Sequence, residues 1–292
     1  MSLFSDLAGA VRAGEPVALA TIIDGPGLGS KLLVGPGRPA LGTLGDGDLD
    51  RVVVRDALGE LAAGTSVVRH YGPHGEAREA TVAVFVESFA PPPRMLVFGA
   101  VDFTRALVRV AKVLGYHVTV CDAREVFATR ARFPEADEVV VDWPDRLLGR
   151  VGASLTARDA VCVLTHDAKF DVPALVAALD TGAGYIGAMG SRRTHAERLV
   201  RLREALSGPA SADLLDGLDR IRAPIGLDIG ARTPEETAVS ICAEIIADRT
   251  GRSADVRPLR ATTGPIHRPS TTAAPTTAAR TTAAPTTAAP AS

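Results

Sequence analysis

The chain has 292 residues, a net charge of −2, and 46% hydrophobic and 23% charged residues. Chains of this length fit about two domains of roughly 150 residues. The balance supplies a core while excluding the broad basic surface of a nucleic-acid or anionic-membrane binder. The three cysteines, Cys121, Cys162 and Cys242, each lie in an apolar run without CxxC spacing. This speaks against a disulfide framework or zinc knuckle and for a reducing compartment. The opening MSLFSDLAGAVRAGEP carries Asp6 and lacks a basic stretch followed by an apolar block, so no secretory leader is expected. No run approaches the roughly 18 apolar residues of a membrane helix.

Leu3, Phe4, Leu7, Ala8 and Val11 share one helical face, and Gly14 ends that helix. Val17 to Ile23 is apolar and rich in β-branched residues, hence a strand, and Gly25-Pro26-Gly27 turns it toward a second strand at Lys31 to Val34. The glycine-rich GTLGDGDLD leads into a helix with Val54, Ala57, Leu58 and Leu61 on its apolar face and Gly64 at its end. Thr65 to Tyr71 and Arg78 to Glu87 read as an antiparallel pair around Gly72-Pro73-His74-Gly75. Residues 1–89 are thus expected to form a small α+β domain.

Phe89-Ala90-Pro91-Pro92-Pro93 favours a stiff extended linker and marks the domain boundary. Strands then alternate with helices: Met95 to Phe98, a helix from Phe103 to Leu114 stopped by Gly115, and Val118 to Cys121. Further strands follow at Val139 to Val141, Ala160 to Leu164 and Tyr185 to Ile186. Continuous apolar strands separated by helices predict a Rossmann-like, doubly wound parallel sheet over residues 90–257. Thr233-Pro234-Glu235-Glu236 is a capping box with proline at the first helical position. Ala238, Ile241, Cys242, Ile245 and Ile246 follow on one face before Gly251. Residues 271–292 repeat Thr, Ala and Pro with one charge and no large apolar side chain, so a disordered tail is expected over 258–292.

Three passages carry candidate chemistry. The first is the turn Gly99-Ala100-Val101-Asp102-Phe103-Thr104, which stands where a dinucleotide fold carries GxGxxG but keeps only the first glycine. Asp122, 23 residues after Gly99, lies near the spacing of a ribose-binding carboxylate. NAD(P) binding is therefore one expectation, with a Rossmann topology lacking a competent dinucleotide turn as its alternative. The second passage is Thr165-His166-Asp167, which ends the fourth of these strands at the ligand-binding rim, though Asp167 could serve instead as a helix cap. The third, Gly187-Ala188-Met189-Gly190-Ser191-Arg192-Arg193, reads as a strand end, a glycine turn and a helix start capped by Ser191. Two arginines in a first turn oppose the helix dipole unless an anion sits there, which suggests a phosphate-type site, with a solvated basic turn as the alternative. Pro224 to Arg232, with Asp228 inside it, resembles the wall of a pocket. His70, His74, His117, His195 and His267 lack ligand spacing, and no metal site is expected.

VLTHDAKFDVPAL, YIGAMGSRRTHAERL and RIRAPIGLDIGARTPEETAVSICAEIIA resemble the carboxyl domain of the XdhC/CoxI family of xanthine dehydrogenase accessory proteins. GEPVALATIID, KLLVGPG and GTLGDGDLDRVVVRDAL resemble its amino domain more distantly. The resemblance implies a cytoplasmic, non-catalytic, chaperone-like protein. It would bind molybdenum cofactor, as molybdopterin or its cytidine dinucleotide, assist its sulfuration by a cysteine desulfurase, and deliver it to an apo molybdenum hydroxylase such as xanthine or carbon monoxide dehydrogenase. A homodimer is a further expectation; nucleic acid and membrane are not expected partners. The alternatives are an NAD(P)-binding oxidoreductase or nucleotide sensor, and a scaffold without ligand. The implied cofactor-binding set is Gly99, Asp122, Thr165, His166, Asp167, Gly187, Gly190, Ser191, Arg192, Arg193 and Asp228. The chain departs from the family pattern where a Ser-x-Pro-Arg element and a GGGC-like turn are common: the first is absent and the second reads Gly45-Asp46-Gly47-Asp48. A GxGH-type turn is likewise replaced by Gly99-Ala100-Val101-Asp102, which marks a divergent member.

Overall fold

In the computed structural model, the described residues are 2–77, 79–208, 212–252, 256, 257 and 260. The expected tail over 258–292 thus lies outside the described residues except for Arg260, as does Arg78 at the expected start of a strand.

Helix α1 (Leu3–Ala13) is capped by Ser2 and closed by Gly14 in the left-handed conformation. The strands β1 (Val17–Asp24), β2 (Lys31–Val34), β3 (Leu41–Thr43), β4 (Val67–Tyr71) and β5 (Val82–Phe89) form an antiparallel sheet in the order β3-β2-β1-β5-β4. Helix α2 (Gly47–Ala63) covers one face, where Leu49, Val53, Ala57 and Leu61 meet Ala18, Ala20, Leu32 and Val84. Val54 and Leu58, expected on this apolar face, lie at its margin and are only partly buried. Leu3, Leu7 and Ala10 of α1 pack on the other face against Val17, Leu19 and Leu33. Strand β3 was not expected: three residues with a left-handed Gly42 give no alternating pattern to read.

Beyond the prolines, β6 (Arg94–Phe98), β7 (His117–Asp122), β8 (Glu138–Val141), β9 (Ala160–Val163), β10 (Tyr185–Ala188) and β11 (Ile221–Arg222) form a second sheet. Its order is β11-β10-β9-β6-β7-β8, with every pairing parallel. This is the doubly wound order, in which the chain leaves the first strand toward one edge and returns to build the other. Strands buried on both faces need helices on both. Met95, Val97, Val118 and Cys162 pack against α3 (Asp102–Val113) and α8 (Pro234–Arg249). Leu96, Phe98, Val161 and Val163 pack against α4 (Pro144–Val151), α5 (Ala168–Leu179) and α6 (Arg192–Ala205). The fold is therefore mixed α/β, a Rossmann-like sheet preceded by an antiparallel amino layer. A short α7 (Ala212–Asp216) leads toward β11, which at two residues escapes sequence patterning. The capping box of α8 forms as expected: Thr233 Oγ1 accepts from the Glu236 amide, and the Glu236 carboxylate accepts from the Thr233 amide. Ile246 departs from the expected buried face and is 40% exposed.

The described residues up to Val256 form one compact unit. Among the described residues no helix is long and apolar enough to cross a membrane.

Candidate functional site

All six strands of the second sheet point their carboxyl ends the same way, so the loops after β6, β9 and β10 meet beside the switch between β6 and β9. A cavity of about 340 Å³ opens there. Phe103 from the start of α3, His166 after β9, Met189 and Gly190 after β10, and Thr237 from the first turns of α8 line it. Pro224 and Ile225 complete the wall, whereas the rest of the loop expected to do so, Gly226 to Arg232, does not line it. A hollow of similar size, about 370 Å³, lies along the edge strand β8, and none of the expected site residues lines it.

The expected residues divide around this cavity. His166 and Gly190 line it directly. Gly190 has φ +138°, a conformation that favours glycine, and Ser191 behind it caps α6 by accepting from the Thr194 amide at 3.1 Å. Gly187 lies beneath the wall: a Cβ there would stand 2.5 Å from Ile225 Cδ1, so the glycine lets the loop close onto β10. Gly99, with φ +108°, lets the β6 turn approach β9, since a Cβ would meet Thr165 Cγ2 at 2.7 Å.

The remaining candidates stand elsewhere or have other partners. Asp122 is 4% exposed, and its carboxylate accepts from Arg124 Nε at 2.9 Å, Arg124 Nη2 at 2.8 Å and the Ala100 amide at 2.8 Å. Burial pushes its carboxyl up, but these hydrogen bonds win and hold it below the usual carboxylate range. Thr104, where a third glycine would stand, donates its hydroxyl to the Gly99 carbonyl, so this turn is closed by its own side chains. Asp167 caps α5, accepting from the Lys169 amide at 3.1 Å, and is exposed. Arg192 and Arg193 are exposed on the first turn of α6, outside the cavity lining, with Arg193 paired to Glu197 at 3.1 Å. Asp228 is exposed in its loop.

Two charged residues that sequence inspection passed over lie at the centre of this region. Arg198 and Asp171 are 2% and 3% exposed and form an ion pair, Nη2 to Oδ2, at 2.9 Å. Thr165 donates its hydroxyl to the other Asp171 oxygen, tying the end of β9 to α5 and α6. Burial pushes the Asp171 carboxyl up, and Arg198 only partly offsets it. Burial first, and then the Arg198 charge, push His195 down toward the neutral form. A signal existed: Arg198 continues into Leu202 and Leu206 at four-residue steps, and Asp171 shares a stripe with Ala174, Leu175 and Ala178. A charge on an apolar helical stripe indicates a buried partner.

In the amino layer, the Gly45-Asp46-Gly47-Asp48 turn starts α2. Asp46 caps it by accepting from the Asp48 and Leu49 amides at 3.0 and 2.9 Å, and its second oxygen meets His74 Nδ1 at 2.8 Å. Asp48 is exposed and pairs with Arg51 at 2.9 Å.

The strand order and the cavity at its switch point define a Rossmann-type α/β protein with its open site on the β9–β10 side. Residues 95–245 match the model of the XdhC Rossmann domain, and residues 10–72 match that of the XdhC and CoxI family. The chain belongs to the XdhC family. It is 32% identical over 169 residues to a probable xanthine dehydrogenase subunit from Bacillus subtilis, covering 58% of this chain and 47% of that protein. It is 28% identical over 171 residues to the molybdenum cofactor insertion chaperone PaoD of Escherichia coli, covering 59% and 45% respectively. The E. coli protein YqeB is 27% identical over 257 residues, covering 84% of this chain and 46% of YqeB. The chain thus spans about half the length of the curated relatives it matches. A crystal structure of a xanthine dehydrogenase from Bacillus halodurans shares the fold, with a TM-score of 0.50 and 22% identity over 89% of this chain and 99% of that one.

Proposed function

We propose that this chain is a maturation factor that carries molybdenum cofactor as cargo in the cavity at the carboxyl edge of the second sheet. The observation that carries the reading is the cavity itself, with a glycine wall at Gly190 and helix starts around it, in a family that includes a named cofactor insertion chaperone. A helix N-terminus suits the phosphate end of molybdopterin or of its cytidine dinucleotide. The test is anaerobic incubation with each form, desalting, and fluorescence detection of the oxidised pterin. Co-elution with the protein is expected, and failure to retain either form refutes the reading.

The finer steps belong to the same proposal. The cofactor would be sulfurated by a cysteine desulfurase and passed to an apo molybdenum hydroxylase such as xanthine or carbon monoxide dehydrogenase, in the cytoplasm, with the factor itself acting as a homodimer without catalysing a reaction. The chain's own thiols support an external sulfur donor. Cys121, Cys162 and Cys242 are all buried, and burial pushes Cys121 and Cys242 up to about 12 and Cys162 well above its ordinary value. Buried thiols with raised pKa values are poor nucleophiles and poor sulfur carriers. We take residues 1–89 as the small amino domain and 90–257 as the Rossmann-like domain whose cavity would hold the cofactor. NAD(P) binding finds less support, because Asp122 and the Ala100 amide are already bonded to each other. Calorimetric titration with NAD and NADP is expected to show no binding.

A further inference from the structure

The cavity lining has the chemistry of a ring site and not of a phosphate site. Phe103, Met189, Pro224 and Ile225 are apolar, His166 and Thr237 bring one imidazole and one hydroxyl, and no lysine or arginine among the described residues lines it. Thr237 donates its hydroxyl to the Thr233 carbonyl at 2.9 Å, which leaves its oxygen as an acceptor. A phosphate placed among these groups would give up water for apolar surface, with no permanent cation beside it to offset the loss. A planar ring gains from the same surroundings, because small-molecule sites are mostly apolar with a few placed polar groups.

The apolar wall is fixed by the fold itself. The Ile225 amide donates to the Ala188 carbonyl of β10 at 3.1 Å, and the Gly226 amide donates to Glu244 Oε2 of α8 at 2.8 Å. The same carboxylate oxygen accepts from the Tyr185 hydroxyl of β10, and Ser240 of α8 donates its hydroxyl to the Leu227 carbonyl. Gly226, with φ +99°, permits this closure, since a Cβ there would stand 2.5 Å from Ser240 Oγ. The loop that carries Pro224 and Ile225 is thus tied to β10 on one side and to α8 on the other. A wall already in place adds no ordering cost to binding. Size agrees: about 340 Å³ lies near the lower end of the roughly 300–1,000 Å³ of small-molecule sites, which suits one ring system better than a whole dinucleotide.

We propose that the cavity takes the planar amino-oxo-pyrimidine ring of the ligand, stacked on Phe103 with His166 and the Thr237 hydroxyl as its polar contacts, and that the phosphate end stays outside. The proposal deepens the cofactor-carrier reading and rests on it for the identity of the ligand. An amino-oxo-pyrimidine edge is common to the pterin of molybdopterin and to the cytosine of its dinucleotide form. Its amino group donates to the Thr237 oxygen, and the imidazole of His166, exposed at the cavity, both donates and accepts.

The probes are hydroxymethylpterin and cytidine, which carry the ring without phosphate, and inorganic pyrophosphate, which carries no ring. Each is titrated to millimolar concentration into the full chain at constant ionic strength, and binding is read by ligand-observed nuclear magnetic resonance. At least one ring is expected to bind and to resist displacement by pyrophosphate. Phe103→Leu keeps an apolar side chain and removes the aromatic face. It is expected to bind that ring at least about fivefold more weakly, the lower end of what one stacked aromatic contributes, and to lose the ring-current shift of the ligand protons. If Phe103→Leu does not fold, His166→Ala, at an exposed position, carries the test and is expected to weaken the same ring. A preference for pterin over cytidine, or the reverse, tells which end of the cofactor enters. The ring site is refuted if neither ring binds, if pyrophosphate displaces the ring, or if the folded variant binds like wild type. Molybdopterin retained while neither phosphate-free ring binds defeats the ring site and leaves the carrier reading. Phe103-dependent ring binding without any retention of molybdopterin does the reverse.

Discussion

Replacing Asp171 by alanine gives the most direct measure of how strongly the site region is built into the fold. The substitution removes an acceptor of both the Thr165 hydroxyl and Arg198 Nη2, and leaves a guanidinium at 2% exposure with the Met189 carbonyl as its one remaining acceptor among the described residues. Removing one partner of a buried pair costs about 3–5 kcal/mol, chiefly because the other charge is stranded. At this chain size each kcal/mol moves the melting temperature by about 2–4 °C, so Asp171→Ala should lower it by roughly 10 °C. In Asp171→Asn/Arg198→Met no charge is stranded, and the amide oxygen can still accept from Thr165. That variant should therefore recover most of the loss, because replacing a whole buried pair is often nearly neutral. Thermal melting followed by near-ultraviolet circular dichroism reads both effects. A fall of under about 3 °C for Asp171→Ala, or additive losses in the double variant, would refute the argument that the two charges depend on each other.

Further outcomes can be read in the same assay. Asp122→Asn should cost about 2 kcal/mol at pH 7, as for a hydrogen bond to a charged group. Because the folded carboxyl sits below its ordinary value of about 4, its contribution is present above that pH and lost as pH falls through the folded value. The gap between wild type and Asp122→Asn should therefore narrow toward pH 3, and a constant gap counts against the ionic account. Gly184→Ala would place a Cβ 2.0 Å from the Ala157 carbonyl oxygen, a clash with backbone that should cost about 1–3 kcal/mol. Gly149→Ala, in open space within α4, should instead raise the melting temperature by about 1–4 °C, as removing a helical glycine gains roughly 0.5–1 kcal/mol. Thr233→Ala removes the cap of α8 and should cost about 1 kcal/mol; no change in melting temperature would mean that packing alone holds that helix start.

What could be read from the residues alone tracks how local the determining interaction is. The capping box at Thr233, the glycine stop at Gly14 and the apolar strands β6, β7 and β9 depend on neighbours in sequence, and each appears in the structure. Strands β3 and β11 carry too few residues to show a period and exist because a neighbouring strand offers its edge. The cavity joins Phe103, His166, Gly190 and Thr237, residues brought together only by the crossover order of the sheet. Two of its expected members, His166 and Gly190, were found through their strand-end position, which is a topological cue. Arg198 and Asp171 stand isolated in sequence and owe their role to tertiary burial, whereas the doublet Arg192-Arg193 is conspicuous as sequence but solvated in space.

The altered glycine turn also accounts for where the open space lies. In a dinucleotide fold the turn after the first strand stays bare so that a pyrophosphate can reach its amides, and the acidic residue at the second strand end stays free for a ribose. Here Thr104 bonds the Gly99 carbonyl, Asp122 takes the Ala100 amide, and Arg124 holds Asp122. Each substitution that removes a ligand contact replaces it with an internal one, so this turn needs no ligand to satisfy its polar groups. Across the switch point the arrangement is the reverse. The turn after β10 keeps Gly190 in the cavity wall, while Arg198 Nη1 and His195 Nδ1, both buried, lack partners among the described residues. The open space accordingly lies two strands along the same edge, beside β10 rather than β6, where the cavity opens.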